Sequence, residues 1–318
     1  MGTIASQEVY GIHGPAVLER AGRELHRLDA LWSPCRPGNI VDVIRRAAGR
    51  EMVTVDADTL QVLRMAKALG LSARGAFDIT SDPLIRLWRR ALGSGVPPHR
   101  HEIEELLPLV GTNHLKLKSR STVYLPYRGQ GVDLGGIGKG FAADRLRQIY
   151  CDAGIRHAAI NIGGNVLVMN RKPDGTPWRI GIKDPGDPGN RLLGYVEVED
   201  CSVVTSGAYE QCFEHTDPAG IPRRFHHIVD PRTGWPAESG LEGVTVVSSS
   251  SVLADALATA IFVLGPEDGL LLCDAFDDTH VLLVDSFGDL RMSFGMRRIF
   301  TESWIRHEGR GQIEAGVK

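Results

Sequence analysis

The sequence predicts an α+β protein, with a helical N-terminal third followed by mixed β-sheets with packed helices. Three observations carry that expectation. Apolar residues recur at helical spacing up to about residue 95, and from about residue 115 they alternate with a period of two. Two further apolar helices, near 138–153 and 251–264, interrupt the strands. No Ser/Gly linker, charge block or short repeat divides the chain. Residues 1–318 are therefore expected to form a single domain, or two intimately packed subdomains.

Residues 15–32 place Leu18, Ala21, Leu25 and Leu28 on one helical face, with Pro15 near the first turn. Ser33-Pro34-Cys35-Arg36-Pro37-Gly38 then breaks that helix. Asn39 can cap a second helix through Ala48, and Asp56 a third whose stripe is Leu60, Leu63, Ala66 and Leu69. Asp82-Pro83 opens a fourth, which Gly93 is expected to close. Leu115-Lys116-Leu117-Lys118, Trp178-Arg179-Ile180-Gly181-Ile182 and Tyr195-Val196-Glu197-Val198-Glu199 alternate as half-buried strands do. The runs 244–247 (Thr245 apart) and 281–284 are continuously apolar and better suited to buried strands.

Composition excludes several roles. With 36 basic and 39 acidic residues the formal charge is −3, which argues against a nucleic-acid partner or a polybasic membrane binder. No uncharged apolar run reaches the ~18 residues of a membrane span, so no membrane insertion is expected. The 37 glycines and 17 prolines exceed ordinary usage and are spread over short loops, where backbone can come close to a ligand. Cys35, Cys151, Cys201, Cys212 and Cys273 show no C-x-x-C pair, which fits scattered thiols rather than a disulfide scaffold or zinc ribbon. The first residues have neither the cationic nor the apolar region of a signal peptide, and the expected location is cytoplasmic.

Three stretches can carry chemistry. In Val132-Asp133-Leu134-Gly135-Gly136-Ile137-Gly138-Lys139-Gly140-Phe141 a strand is expected to run through glycines into a helix. Free amides at a helix start attract anions, and glycines let a phosphate approach. Lys139 opposes the helix dipole there, which a bound anion would compensate; a tight turn with an exposed lysine is the plain alternative. The glycine spacing fits neither a dinucleotide fingerprint nor a P-loop. In residues 251–262, Asp255 and Thr259 share one face of an otherwise apolar helix. A buried carboxylate needs a counter-charge, a metal or hydrogen bonds, and hard oxygen ligands suit Mg²⁺. The competing reading is that Asp255 serves the helix N-terminus and Thr259 its own backbone. In Phe225-His226-His227-Ile228-Val229-Asp230-Pro231-Arg232-Thr233-Gly234, neighbouring histidines on a strand would face opposite ways, so one can serve a site while the other packs. Gly75-Ala76-Phe77-Asp78-Ile79-Thr80 and Thr205-Ser206-Gly207-Ala208-Tyr209-Glu210 add a ring, carboxylates and hydroxyls. Ser206 lacks the nucleophile elbow of a serine hydrolase.

Together and in this order, these segments resemble the ApbE family, the FAD:protein FMN transferases. The likeness also takes in Met1-Gly2-Thr3, Asn161-Ile162-Gly163-Gly164-Asn165 and 254–264, and it covers nearly the whole chain to about residue 300. The resemblance implies an ApbE-like fold and a Mg²⁺-dependent reaction. FMN passes from FAD to a Thr (or Ser) hydroxyl of an acceptor flavoprotein, and AMP leaves. It places Mg²⁺ on Gly136 (backbone carbonyl), Asp255 and Thr259. It places FAD at Met1, Cys35, Ala76, Phe77, Asp78, Asp133, Lys139, Ser206, His227 and Ile228. Within that chemistry His227 is the first candidate for the base, Asp255 the runner-up, and Lys139 a charge-neutralising group. Cys35 stands where the family commonly has an aromatic residue, which implies weaker stacking on the flavin. FAD pyrophosphatase activity, giving FMN and AMP, and FAD binding without turnover are the rival readings.

Overall fold

The computed structural model describes residues 3–302 except 12, 13, 35, 119, 120, 188, 190 and 218. Asn39 and Asp56 start their helices as their side chains lead one to expect. Asn39 Oδ1 accepts the Asp42 N–H at 2.9 Å, and Asp56 Oδ1 accepts that of Thr59 at 2.9 Å. The helices are α1 (Gly14–Trp32), α2 (Ile40–Ala47), α3 (Ala57–Ser72), α4 (Asp82–Ser94) and α5 (Arg100–Leu106). After them come α6 (Gly138–Asp152), α7 (Ser251–Leu264), α8 (Pro266–Cys273) and α9 (Met296–Ile299). Gly93 does not close α4. It lies inside the helix, which ends at Gly95, where φ is 72° and the N–H reaches Ala91 O at 2.8 Å. A helical glycine costs only about 1 kcal/mol against alanine, whereas the left-handed cap favours a residue without Cβ.

Strands β1 (Ala5–Tyr10), β2 (Val53–Thr54), β3 (Lys116–Lys118), β4 (Thr122–Tyr124) and β5 (His157–Ile162) come first. Next are β6 (Asn165–Met169), β7 (Trp178–Lys183), β8 (Leu192–Val198), β9 (Ser202–Gly207) and β10 (Cys212–Thr216). The last are β11 (Pro222–His226), β12 (Leu241–Ser248), β13 (Thr279–Asp285), β14 (Leu290–Met292) and β15 (Phe300–Glu302). The main sheet has seven strands in the order β1-β5-β6-β9-β12-β13-β14. Two three-stranded sheets, β15-β8-β7 and β2-β4-β3, and the β10-β11 hairpin complete the set among the described residues.

Alternating side chains explain why the runs at 244–247 and 281–284 are apolar but for Thr245, whose hydroxyl pairs with that of Thr205 at 2.8 Å. Val244, Val246, Val281 and Leu283 join the large core with α6 and α7. Val247, Leu282, Val203 and Val168 face the other way, against Trp178 and Val196 of the small β7-β8 sheet. The main sheet is therefore covered on both sides, as continuous apolar strands require. A third cluster packs Leu84, Leu87 and Trp88 of α4 with Ile103 and Val229, against Phe213 and Phe225 of the hairpin.

Residues 132–134 are not part of a sheet strand. The segment's backbone is tied to the preceding loop by the Asp133 N–H, which donates to Ile79 O at 2.7 Å, and then turns into α6. At the crossing of α6 and α7, a Cβ on Gly140 would lie 2.3 Å from Ser251 O and 2.7 Å from Val252 Cα. The two helices touch there backbone to backbone. No described helix is long and apolar enough to cross a membrane.

Candidate functional site

Helix α7 is nearly all apolar, so Asp255, 2% exposed, needs partners. It finds them across the α6 crossing. Its Oδ2 accepts the Gly140 N–H at 2.9 Å, and its Oδ1 lies 3.0 Å from the Lys139 ammonium. Lys139 Nζ also donates to Gly135 O at 3.1 Å. Carboxylate, lysine and glycine turn are thus one unit, and Asp255 is not spent on its own helix N-terminus.

One turn further along α7, Thr259 Oγ1 lies 3.4 Å from Ser206 Oγ at the end of β9, and 3.5 Å from Asp255 O. A Cβ on Gly136 would be 3.3 Å from Thr259 Oγ1 and 3.1 Å from Phe77 Cε2. Gly136 therefore sits between the Phe77 ring and the Thr259 hydroxyl. Phe77 follows Ala76, buried in the tight turn after α3. Of the candidates, the fold brings together Phe77, Gly136, Lys139, Ser206, Asp255 and Thr259.

Two carboxylates are used differently. Asp78 is buried and accepts from Thr80 N, Thr80 Oγ1 and Thr112 N, so it organises its own loop. Asp133 accepts the Gly135 N–H through Oδ1 at 2.8 Å and the Arg89 guanidinium through Oδ2 at 2.8 Å. Met1 and Cys35 lie outside the described residues.

The histidine pair divides its labour as the sequence allows. Both ring nitrogens of His226 are committed: Nε2–H donates to Ala237 O at 3.0 Å, and Nδ1 accepts the Ile228 N–H at 3.2 Å. Its ring meets Phe262 edge-on at 5.5 Å. His227 stands one residue past β11. Its N–H and Nδ1–H both point to Gln211 O, at 3.0 and 3.4 Å, which leaves the Nε2 lone pair free of these bonds. Desolvation, with lesser contributions from the positive charges of Lys139 and Arg89, lowers its pKa to about 4. His227 is therefore neutral at pH 7. Ile228 is buried beside it and its carbonyl accepts the Ala237 N–H.

Glu210 and Arg89 were not among the candidates. Loss of solvent raises the Glu210 pKa, Lys139 and Lys183 oppose that rise, and Asp255 reinforces it, so the turn after β9 faces the same charges. Its place at the end of the 205–210 segment was the available signal. Arg89 had none, because its partner Asp133 is 44 residues away.

Burial of both histidines makes stability depend on pH. Their folded pKa values lie below the usual 6.5, so in acid the unfolded chain binds more protons. Their contribution is complete above about pH 6.5 and is lost as the pH falls, for His227 towards 4. Melting temperature should drop across that window, and His227→Gln should flatten the drop. An unchanged slope would refute the burial.

Known proteins share this fold. The ApbE protein of Thermotoga maritima superposes with a TM-score of 0.82 at 31% identity, covering 95% of this chain and 97% of that one. The flavin transferase ApbE of Vibrio cholerae gives 0.82 at 27% identity over 94% and 96%. A relative named FAD:protein FMN transferase from Klebsiella pneumoniae is 33% identical over 91% of this chain and 88% of its own. One of the same name from Treponema pallidum is 31% identical over 93% and 85%. Fold and relatives define an enzyme of the transferase class. The chain belongs to the ApbE family, whose model matches residues 1–283.

Proposed function

We propose that this enzyme transfers FMN from FAD to a threonine or serine hydroxyl of an acceptor flavoprotein, releasing AMP, with Mg²⁺ as its metal. The observation that carries the reading is the clamp of Lys139, Asp255 and the Gly140 amide around the glycine turn. A glycine turn open to close approach, a cation and a buried carboxylate meet there, as a diphosphate substrate with a divalent ion would need.

The donor set suits the metal. Among the described residues no group of three or more His, Cys, Asp or Glu could hold one. The candidate ligands are instead one carboxylate, one hydroxyl and one carbonyl, from Asp255, Thr259 and Gly136, and all are hard oxygens. The Lys139 ammonium, 3.0 Å from Asp255 Oδ1, marks that carboxylate as a cation seat. When bound, Mg²⁺ would polarise a phosphoryl oxygen of FAD.

The chain's own residues supply the remaining chemistry. Lys139, at the glycine turn, holds the diphosphate and offsets its charge. Phe77 offers a ring beside the same turn. His227 takes the proton of the acceptor hydroxyl at Nε2. The hydroxyl oxygen bonds to the FMN-side phosphorus while the bond from that phosphorus to the bridging oxygen breaks, and AMP carries that oxygen away. Asp255 is less suited to be the base, since both its oxygens are engaged.

Incubation with FAD, Mg²⁺ and candidate acceptor flavoproteins should yield a phosphoester-linked FMN adduct by mass spectrometry, with one AMP per adduct. Brisk AMP release without acceptor would assign the protein as a pyrophosphatase. FAD binding with no AMP formed, even with acceptor, would assign it as a binding protein.

A further inference from the structure

Helix α4 grips both halves of the site through two successive side chains. Trp88 is fully buried, and its Nε1–H donates to Gly234 O at 2.8 Å, in the turn that follows the histidines. Its ring stacks on Phe225 at 5.6 Å, two residues before His227. Arg89 reaches the other way, to Asp133 Oδ2 at 2.8 Å, while Asp133 Oδ1 holds the Gly135 N–H at 2.8 Å. Gly135 O in turn receives Lys139, which contacts Asp255. An unbroken polar chain therefore runs from α4 through the glycine turn to α7.

We propose that Arg89 is a positioning residue for the flavin dinucleotide: through Asp133 it locks the glycine turn against α4, at a fixed distance from His227. This rests on the flavin-transfer reading above. Asp133 is buried, 8% exposed, and its second oxygen has no other described hydrogen-bond donor. A buried carboxylate that loses its counter-charge recruits another partner or protonates, and either response weakens its hold on the Gly135 amide. Arg89 also adds to the positive field at His227, together with Lys139 from α6 and the neighbouring His226.

Arg89→Met should raise the KM for FAD by about 10- to 100-fold, the usual cost of removing a group that orients a ligand-binding one. At saturating FAD, kcat should change less than about threefold. Arg89→Lys, which keeps one charged donor, should recover most of the affinity. In the flavin-free protein, NMR titration of His227 should show its pKa move up in Arg89→Met and stay in Arg89→Lys. A helix anchor alone would lower the melting temperature and move neither KM nor the titration. Wild-type KM in Arg89→Met overturns the proposal. If that variant does not fold, a wild-type KM in Arg89→Gln together with an unmoved His227 titration there overturns it. If the wild-type protein neither binds nor cleaves FAD, the flavin reading fails instead, and the His227 titration still decides whether Arg89 acts on the site.

Discussion

Asp255→Asn should slow FMN transfer by about 10³-fold or more, and Asp255→Ala should bring the FMN adduct below detection. A metal-binding carboxylate contributes several kcal/mol of transition-state stabilisation, and each 1.36 kcal/mol is a factor of ten in rate. The two substitutions separate chemistry from folding. Asparagine retains an oxygen for the Gly140 N–H, 2.9 Å away, but removes the charge and puts an NH2 where an oxygen faces the Lys139 ammonium. Alanine also leaves that buried N–H without its acceptor, at about 1–3 kcal/mol of stability. Thermal melting should therefore place Asp255→Asn above Asp255→Ala. Transfer by Asp255→Asn within tenfold of wild type would remove this residue from the mechanism.

His227→Ala should lower kcat by ~10²–10⁴, the usual worth of a general base; a loss of less than about tenfold would refute the assignment. Its pH dependence gives a sharper test. The profile of kcat/KM reports the free enzyme, and with the His227 pKa lowered to about 4 its acid limb should fall near there. The profile of kcat reports the complex with FAD. A diphosphate beside Lys139 and Arg89 offsets two of the charges that lower this pKa, so the acid limb of kcat should lie at higher pH. Coincident limbs would mean that the diphosphate binds away from His227.

The sequence made the helices legible because their signals are local. Asn39 and Asp56 bond to residues three positions on, and the stripes of α1 and α3 repeat within one turn. The limits were local too: nothing near Gly93 and Gly95 says which one turns left-handed. Strand β1, Ala5–Tyr10, escaped notice because an edge strand with one side to solvent need not be apolar, and its pattern is mostly exposed. The polar hairpin strand β10 was hidden for the same reason. At the site, residue types were readable and partners were not. Asp255 announced itself as a carboxylate in an apolar helix, but the amide that holds it is 115 residues earlier. Which histidine is free was decided by Ala237 O and Gln211 O, and by no pattern in the sequence.

Gly140 governs the site without touching what binds there. The closeness of α6 to α7 at that point sets how far the carboxylate of one helix stands from the glycine turn of the other. The gauge of the cradle is thus written in a missing methyl group. Even alanine at this position would wedge the helices apart, leaving every reactive group present and all of them out of step.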